Sequence, residues 1–147
     1  MSPEFRMLIE PLHEKFERLR DMAPWKGTTT LPKQGVYLFS ENCEHLYIGR
    51  SYNILRRYKD HTRGGPEKSA FARILACKRL SRERNYAPGA KERAKDPEFV
   101  AACRSAKERI REMEFRAVEE CDQTSQALLE IYCAVTLGTC HNDFGTS

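Results

Sequence analysis

Six polar side chains fall at positions where a fold could draw them together: Tyr37, Tyr47, Arg57, His61, Glu130 and Asn142. Two tyrosines on neighbouring strands would bring a pair of hydroxyls close if both point the same way. Arg57 and His61 are four residues apart and so share one face of a helix. Glu130 stands mid-helix among Leu128, Leu129, Ile131 and Tyr132. A carboxylate in such apolar company needs a partner, and a metal ion is one candidate.

The elements that must carry these groups can be read from periodicity. Phe5, Leu8, Ile9, Leu12, Phe16, Leu19 and Met22 recur at three- and four-residue steps and predict one amphipathic helix. Pro24, Gly27 and Pro32 make 23–34 a loop. Gly35-Val36-Tyr37-Leu38-Phe39 and His45-Leu46-Tyr47-Ile48-Gly49, joined by the polar turn Ser40 to Glu44, predict an antiparallel hairpin. Asn53 caps a helix to about Thr62, stopped by Gly64-Gly65-Pro66. Ser69 to Arg84 reads as a basic helix with Phe71, Ile74, Leu75 and Leu80 inside, and Asn85 to Lys95 as a loop. Asp96-Pro97-Glu98 opens a helix to about Arg111. Met113 to Glu119 alternates as a third strand, and Asp122 caps a last helix, about 123–137, that Gly138 ends. The expected fold is α+β: a small three-stranded antiparallel β-sheet flanked by helices, with an N-terminal helix and loop over 1–34 and a core over 35–142 holding a helical insertion, about 63–112, all in a single domain.

The 147 residues suit one domain, with 40% hydrophobic and 31% charged residues as in ordinary globular chains. No apolar run approaches the roughly 18–20 residues of a membrane span, and the mixed-charge N-terminus does not read as a signal peptide, so a cytoplasmic protein is expected. None of the six cysteines forms a C-x-x-C pair, which favours reduced, mostly buried thiols. The net charge of +4 is uneven. Arg56 to Glu112 holds 17 Lys and Arg against 8 Asp and Glu, a net of +9, and the rest of the chain is −5. Such a middle is either a set of solvated helix faces or a surface for an anionic partner, of which phosphates are the densest source.

Gly35-Val36-Tyr37 and Tyr47-Ile48-Gly49 resemble the two tripeptides that name the GIY-YIG nuclease superfamily. The tyrosines are ten positions apart, a spacing that suits its hairpin. Arg57 falls where the family's arginine sits on the first helix, Gln126 to Glu130 resembles its glutamate helix, and Asn142 resembles the asparagine that closes the domain. The likeness covers about Gly35 to Asn142. The stretch between His61 and Met113 departs from the family's minimal pattern. His61, one turn after Arg57, is similar to the restriction-enzyme branch.

The resemblance implies an endonuclease acting on DNA, branched or damaged DNA included, with one Mg2+ or Mn2+ held by Glu130 and waters. That ion would stabilise the leaving 3′ oxygen and the phosphate charge. It implies that Tyr37 activates the attacking water, although a free tyrosine has a pKa of about 10 and needs cationic help from Arg57 or the ion. Tyr47 would position the water or the phosphate, Arg57 would grip the scissile phosphate with its fork, His61 would relay a proton or bind phosphate, and Asn142 would brace the site. Arg56 points elsewhere on its helix and reads as a general backbone contact or a solvated charge. Arg50, Arg73, Lys78, Arg79 and Arg82 are further candidates for phosphate contacts, Tyr52 could line the same groove, and His13, His45 and His141 read as surface or structural residues.

A binding module that keeps the fold without useful catalysis and an adaptor docking through its helices are the competing readings. Repair, restriction and processing of branched DNA would all use this site. The chain stops soon after Asn142, so specificity is expected from the insertion, the N-terminal helix or a partner. A homodimer would let so small an enzyme cut both strands.

Overall fold

The computed structural model describes residues 1–81 and 90–142, without the side chains of residues 90 and 91. Arg82 lies outside the described residues. The chain forms two compact units. A sheet unit comprises Met1–Leu55 with Glu114–Ser147, and a helical unit comprises Arg56–Met113. The class is the expected α+β, with one three-stranded antiparallel sheet and helices. No helix among the described residues is long and apolar enough to cross a membrane.

The sheet unit begins with α1 (Pro3–Ile9) and α2 (Leu12–Asp21). The single helix expected over this stretch is two helices, because Pro11 has no N–H to continue the ladder and its ring crowds the preceding turn. β1 (Gly35–Glu41) and β2 (Glu44–Ser51) form the hairpin. Its turn is only Asn42 and Cys43, at φ 51° and 64°, the left-handed pair whose twist matches a tight hairpin. β3 (Glu114–Glu119) pairs with the other side of β1, giving the order β2-β1-β3. The sheet's interior side packs Val36, Leu38, Ile48 and Val118 on Leu12, Phe16 and Leu19 of α2. Leu129, Cys133 and Ala134 of α7 (Gln123–Leu137) complete that core. Asp122 caps α7 by accepting from the Ser125 amide, and Gly138 ends it at φ 66°.

The helical unit takes in most of α3 (Ile54–Thr62), a 3-10 turn (Pro66–Lys68), α4 (Ala70–Arg79), α5 (Ala90–Ala94) and α6 (Pro97–Arg111). Asp96 and Pro97 open α6 as expected, the Asp96 carboxylate accepting from the Glu98 and Phe99 amides. Two boundaries differ from expectation. α4 stops at Arg79, with Leu80 as its cap and Ser81 at φ 55°. The loop expected over 85–95 contains α5. Its Ala-Lys-Glu-Arg-Ala composition favours helix once Pro88 and Gly89 are past. Ala76 and Cys77 of α4 meet Phe99, Ala102 and Cys103 of α6 in this unit's own core. All six cysteines are free, three buried and three exposed, so fewer are buried than composition suggested.

Candidate functional site

The hairpin ladder pairs Tyr37 with Gly49 and Phe39 with Tyr47. Side chains alternate along a strand, so both tyrosines lie on one face of the sheet, the face away from Val36, Leu38 and Ile48. They are offset along the ladder, not directly opposed. Tyr37 is 2% exposed. Its ring packs against Phe39 and Phe115, with centroids 5.9 and 5.6 Å away, and lies across Gly49, where any Cβ would overlap its Cζ and hydroxyl. The missing side chain at position 49 therefore lets the Tyr37 hydroxyl reach one strand outward, toward the sheet's edge. Gly35 is needed for a different reason. Its φ is 152°, and a Cβ there would overlap the Val118 carbonyl on β3. Both glycines of the paired tripeptides thus answer to a steric demand of the sheet.

Glu130 comes from the other side. Its neighbour on α7, Leu129, points into the core against Ile48 and Leu38. Arg50 shares the Ile48 side of β2 by alternation, and its Nε lies 3.7 Å from Glu130 Oε2. Burial pushes the Glu130 carboxyl above its ordinary pKa, and the Arg50 charge only partly opposes this. Asn142 lies along the open edge of β2. Its Oδ1 accepts from the Ile48 amide at 2.8 Å and its Nδ2 donates to the Ile48 carbonyl at 2.7 Å, so the side-chain amide pairs with β2 as a further strand would. His141 adds a backbone bond, its amide donating to the Leu46 carbonyl.

In the helical unit, His61 is fully buried. Ser69 Oγ accepts the Ala72 amide as the N-cap of α4 and shares a hydrogen bond with His61 Nδ1, 2.6 Å away. Burial, reinforced by Arg57 and Lys107, drives the His61 pKa down to about 3, so the ring is neutral at ordinary pH. The expected proton relay needs a ring that meets solvent or substrate, and this one instead ties α3 to the start of α4. Arg57 reaches Asp60 at 3.8 Å. Arg56, expected to point elsewhere, lines the same groove as Arg57, together with Asp60, Glu67, Lys68 and Arg73. Lys78 and Arg79 are outside that groove, and Arg79 donates to Ser105 Oγ.

The sequence reading passed over Lys107. It is 3% exposed, and its ammonium donates to the carbonyls of Asp60, Arg63 and Gly65, each at 2.8 Å. Arg111 donates to the Thr62 carbonyl. The two cations thereby serve carbonyls in the last turn of α3, at Asp60 and Thr62, and just beyond it, at Arg63 and Gly65. The available signal was a lysine set in the apolar stripe Cys103, Ala106 and Ile110. The structure thus sets Tyr37 and Tyr47 on one face of the sheet, groups Glu130 with Arg50 on the Ile48 side opposite to it, pairs Asn142 with Ile48 at the β2 edge, and gathers Arg56, Arg57 and Arg73 on a groove of the helical unit. No protein-family model, no curated protein and no solved structure matches the chain.

Proposed function

We propose that the chain is a metal-dependent endonuclease that hydrolyses phosphodiester bonds in DNA. The observation that carries this reading is the passage of Tyr37 across Gly49, which makes the two glycine–tyrosine tripeptides one construction on adjacent strands. Glu130 supports it as a partly buried carboxylate whose ionised form is held at a cost in burial. Its chemistry suits Mg2+ or Mn2+, which are commonly held by one or two carboxylates with waters and substrate phosphate. Among the described residues no group of three or more His, Cys, Asp or Glu could hold an ion, so an ion here would rely on waters and the phosphate for its other ligands. When bound, it would neutralise charge on the phosphate and the leaving oxygen.

The protein's own groups divide the remaining work. Exposure favours Tyr47, which is half-buried, over the enclosed Tyr37 as the hydroxyl that meets the attacking water. Tyr37 then supports it from the same face. Arg57 contributes phosphate contact from the helical unit, Arg50 sets the local charge at Glu130, and Asn142 holds the β2 edge. A binding module without catalysis is the second reading, favoured by the +9 charge of residues 56–112.

Nicking of supercoiled plasmid, and cutting of a labelled branched duplex, in Mg2+, Mn2+ or EDTA separates the two. Metal-dependent cutting is the expected result. A mobility shift without cutting on any substrate would establish the binding module instead.

A further inference from the structure

The sequence leaves the basic middle either as a set of solvated helix faces or as a surface for an anionic partner. The structure concentrates part of it. Arg56, Arg57, Lys68 and Arg73 face Asp60 and Glu67 across a groove of about 420 Å³ inside the helical unit. One of its two acids is already committed elsewhere. Arg93 of α5 grips Glu67 with two parallel bonds, Nε to Oε1 at 2.8 Å and Nη2 to Oε2 at 2.7 Å. Arg73 lies 3.8 Å from the same carboxylate and Arg57 3.8 Å from Asp60, both beyond a good hydrogen bond. Loosely held guanidinium groups of this kind can exchange a carboxylate neighbour for a phosphate at small loss.

The groove also lacks a stacking platform for a base. Among the described residues its lining holds no aromatic ring to stack on a base, and most of its polar groups are cations whose forks and ammonium suit phosphate oxygens. It is much larger than one anion needs, since a water molecule takes about 30 Å³ in the liquid. We infer that this groove is a sequence-independent site for the phosphodiester backbone of duplex nucleic acid, in which Arg73 and Lys68 add phosphate contacts beside Arg56 and Arg57. Glu67, clamped by Arg93, restrains it by competing for Arg73. The inference rests on the nucleic-acid reading above, but not on catalysis.

The test is fluorescence anisotropy of labelled DNA duplexes of two unrelated sequences, in EDTA and over a range of salt, with Arg73→Gln and Glu67→Gln. Arg73→Gln should weaken binding roughly tenfold on both sequences, as loss of a charge-assisted contact does. It should also lower the slope of log K against log salt by about 1. Glu67→Gln should bind several-fold tighter, on the order of a charge pair released. If Glu67→Gln loses its helical circular dichroism because the Arg93 clamp is gone, Arg73→Gln decides alone.

Unchanged affinity and salt slope in Arg73→Gln would overturn the proposal, as would a loss confined to one sequence. A mononucleotide binding as tightly as the duplex, with the same dependence on Arg73, would overturn the backbone assignment. So would a polyglutamate peptide that binds where the duplex does not, since that marks a site for an acidic protein. Failure to cut in metal buffer with Arg73-dependent binding intact would sink the nuclease reading and leave this groove standing.

Discussion

At the residue scale, a partly buried carboxyl and a buried imidazole carry opposite signatures. The Glu130 pKa is raised by burial, so ionising it costs stability. A group raised in this way contributes stability below its unfolded pKa and loses it as pH climbs through the folded value. Glu130→Gln cannot ionise. Its melting temperature relative to wild type should therefore be more favourable at pH 7.5 than at pH 4, in thermal melts of both proteins, and an offset that does not change with pH would contradict it. His61 behaves the other way. Its pKa is held down at about 3, so the unfolded chain takes up a proton that the native state refuses. The stability it contributes is whole above the ordinary histidine range and is lost as pH falls from about 6.5 toward 3. Urea unfolding of wild type should show a pH slope from this group approaching about 1.4 kcal/mol per unit there. That slope should be missing from His61→Gln, and a slope unchanged by the substitution would count against a buried neutral ring. Of the six site residues, types and order were legible in the sequence. The burial of His61 was not, because helical spacing alone does not say that Ser69 and Phe71 will enclose that face.

At the element scale, the hairpin, α6 and α7 could be read because local signals agree: alternation, Asp caps with a proline start, and a closing glycine. The helix over residues 5–22 was misread because apolar periodicity runs straight through Pro11, and periodicity does not register a missing N–H. Asn142 shows what lies beyond such local signals. It acts 94 residues away in sequence, on the open edge of β2, through both ends of its amide. Asn142→Ala leaves the Ile48 N–H and carbonyl without that partner and should cost about 1–3 kcal/mol. The Ile48 amide should also exchange its hydrogen faster. Asn142→Asp should not restore it, because a carboxylate cannot donate to the Ile48 carbonyl. Unchanged protection of Ile48 in Asn142→Ala would show that the clamp is not needed.

At the scale of the whole molecule, charge divides much as the fold does. The basic residues counted over 56–112 fall in the helical unit, and the net −5 of the remainder belongs to the unit that carries the sheet, the tyrosines and Glu130. In the proposed enzyme, affinity and chemistry are therefore separable. Neutralising groove cations should weaken binding, whereas removing the Glu130 carboxylate should stop turnover and leave the duplex bound. The most direct test is the single-turnover cleavage rate of saturating wild type and Glu130→Gln on one DNA substrate in Mg2+, with duplex affinity measured alongside in EDTA. The rate should be lower by roughly 10³-fold in the variant, in line with losing one charge-stabilising group, at unchanged affinity. Equal rates in the two proteins, or no metal-dependent cleavage by folded wild type, would contradict it.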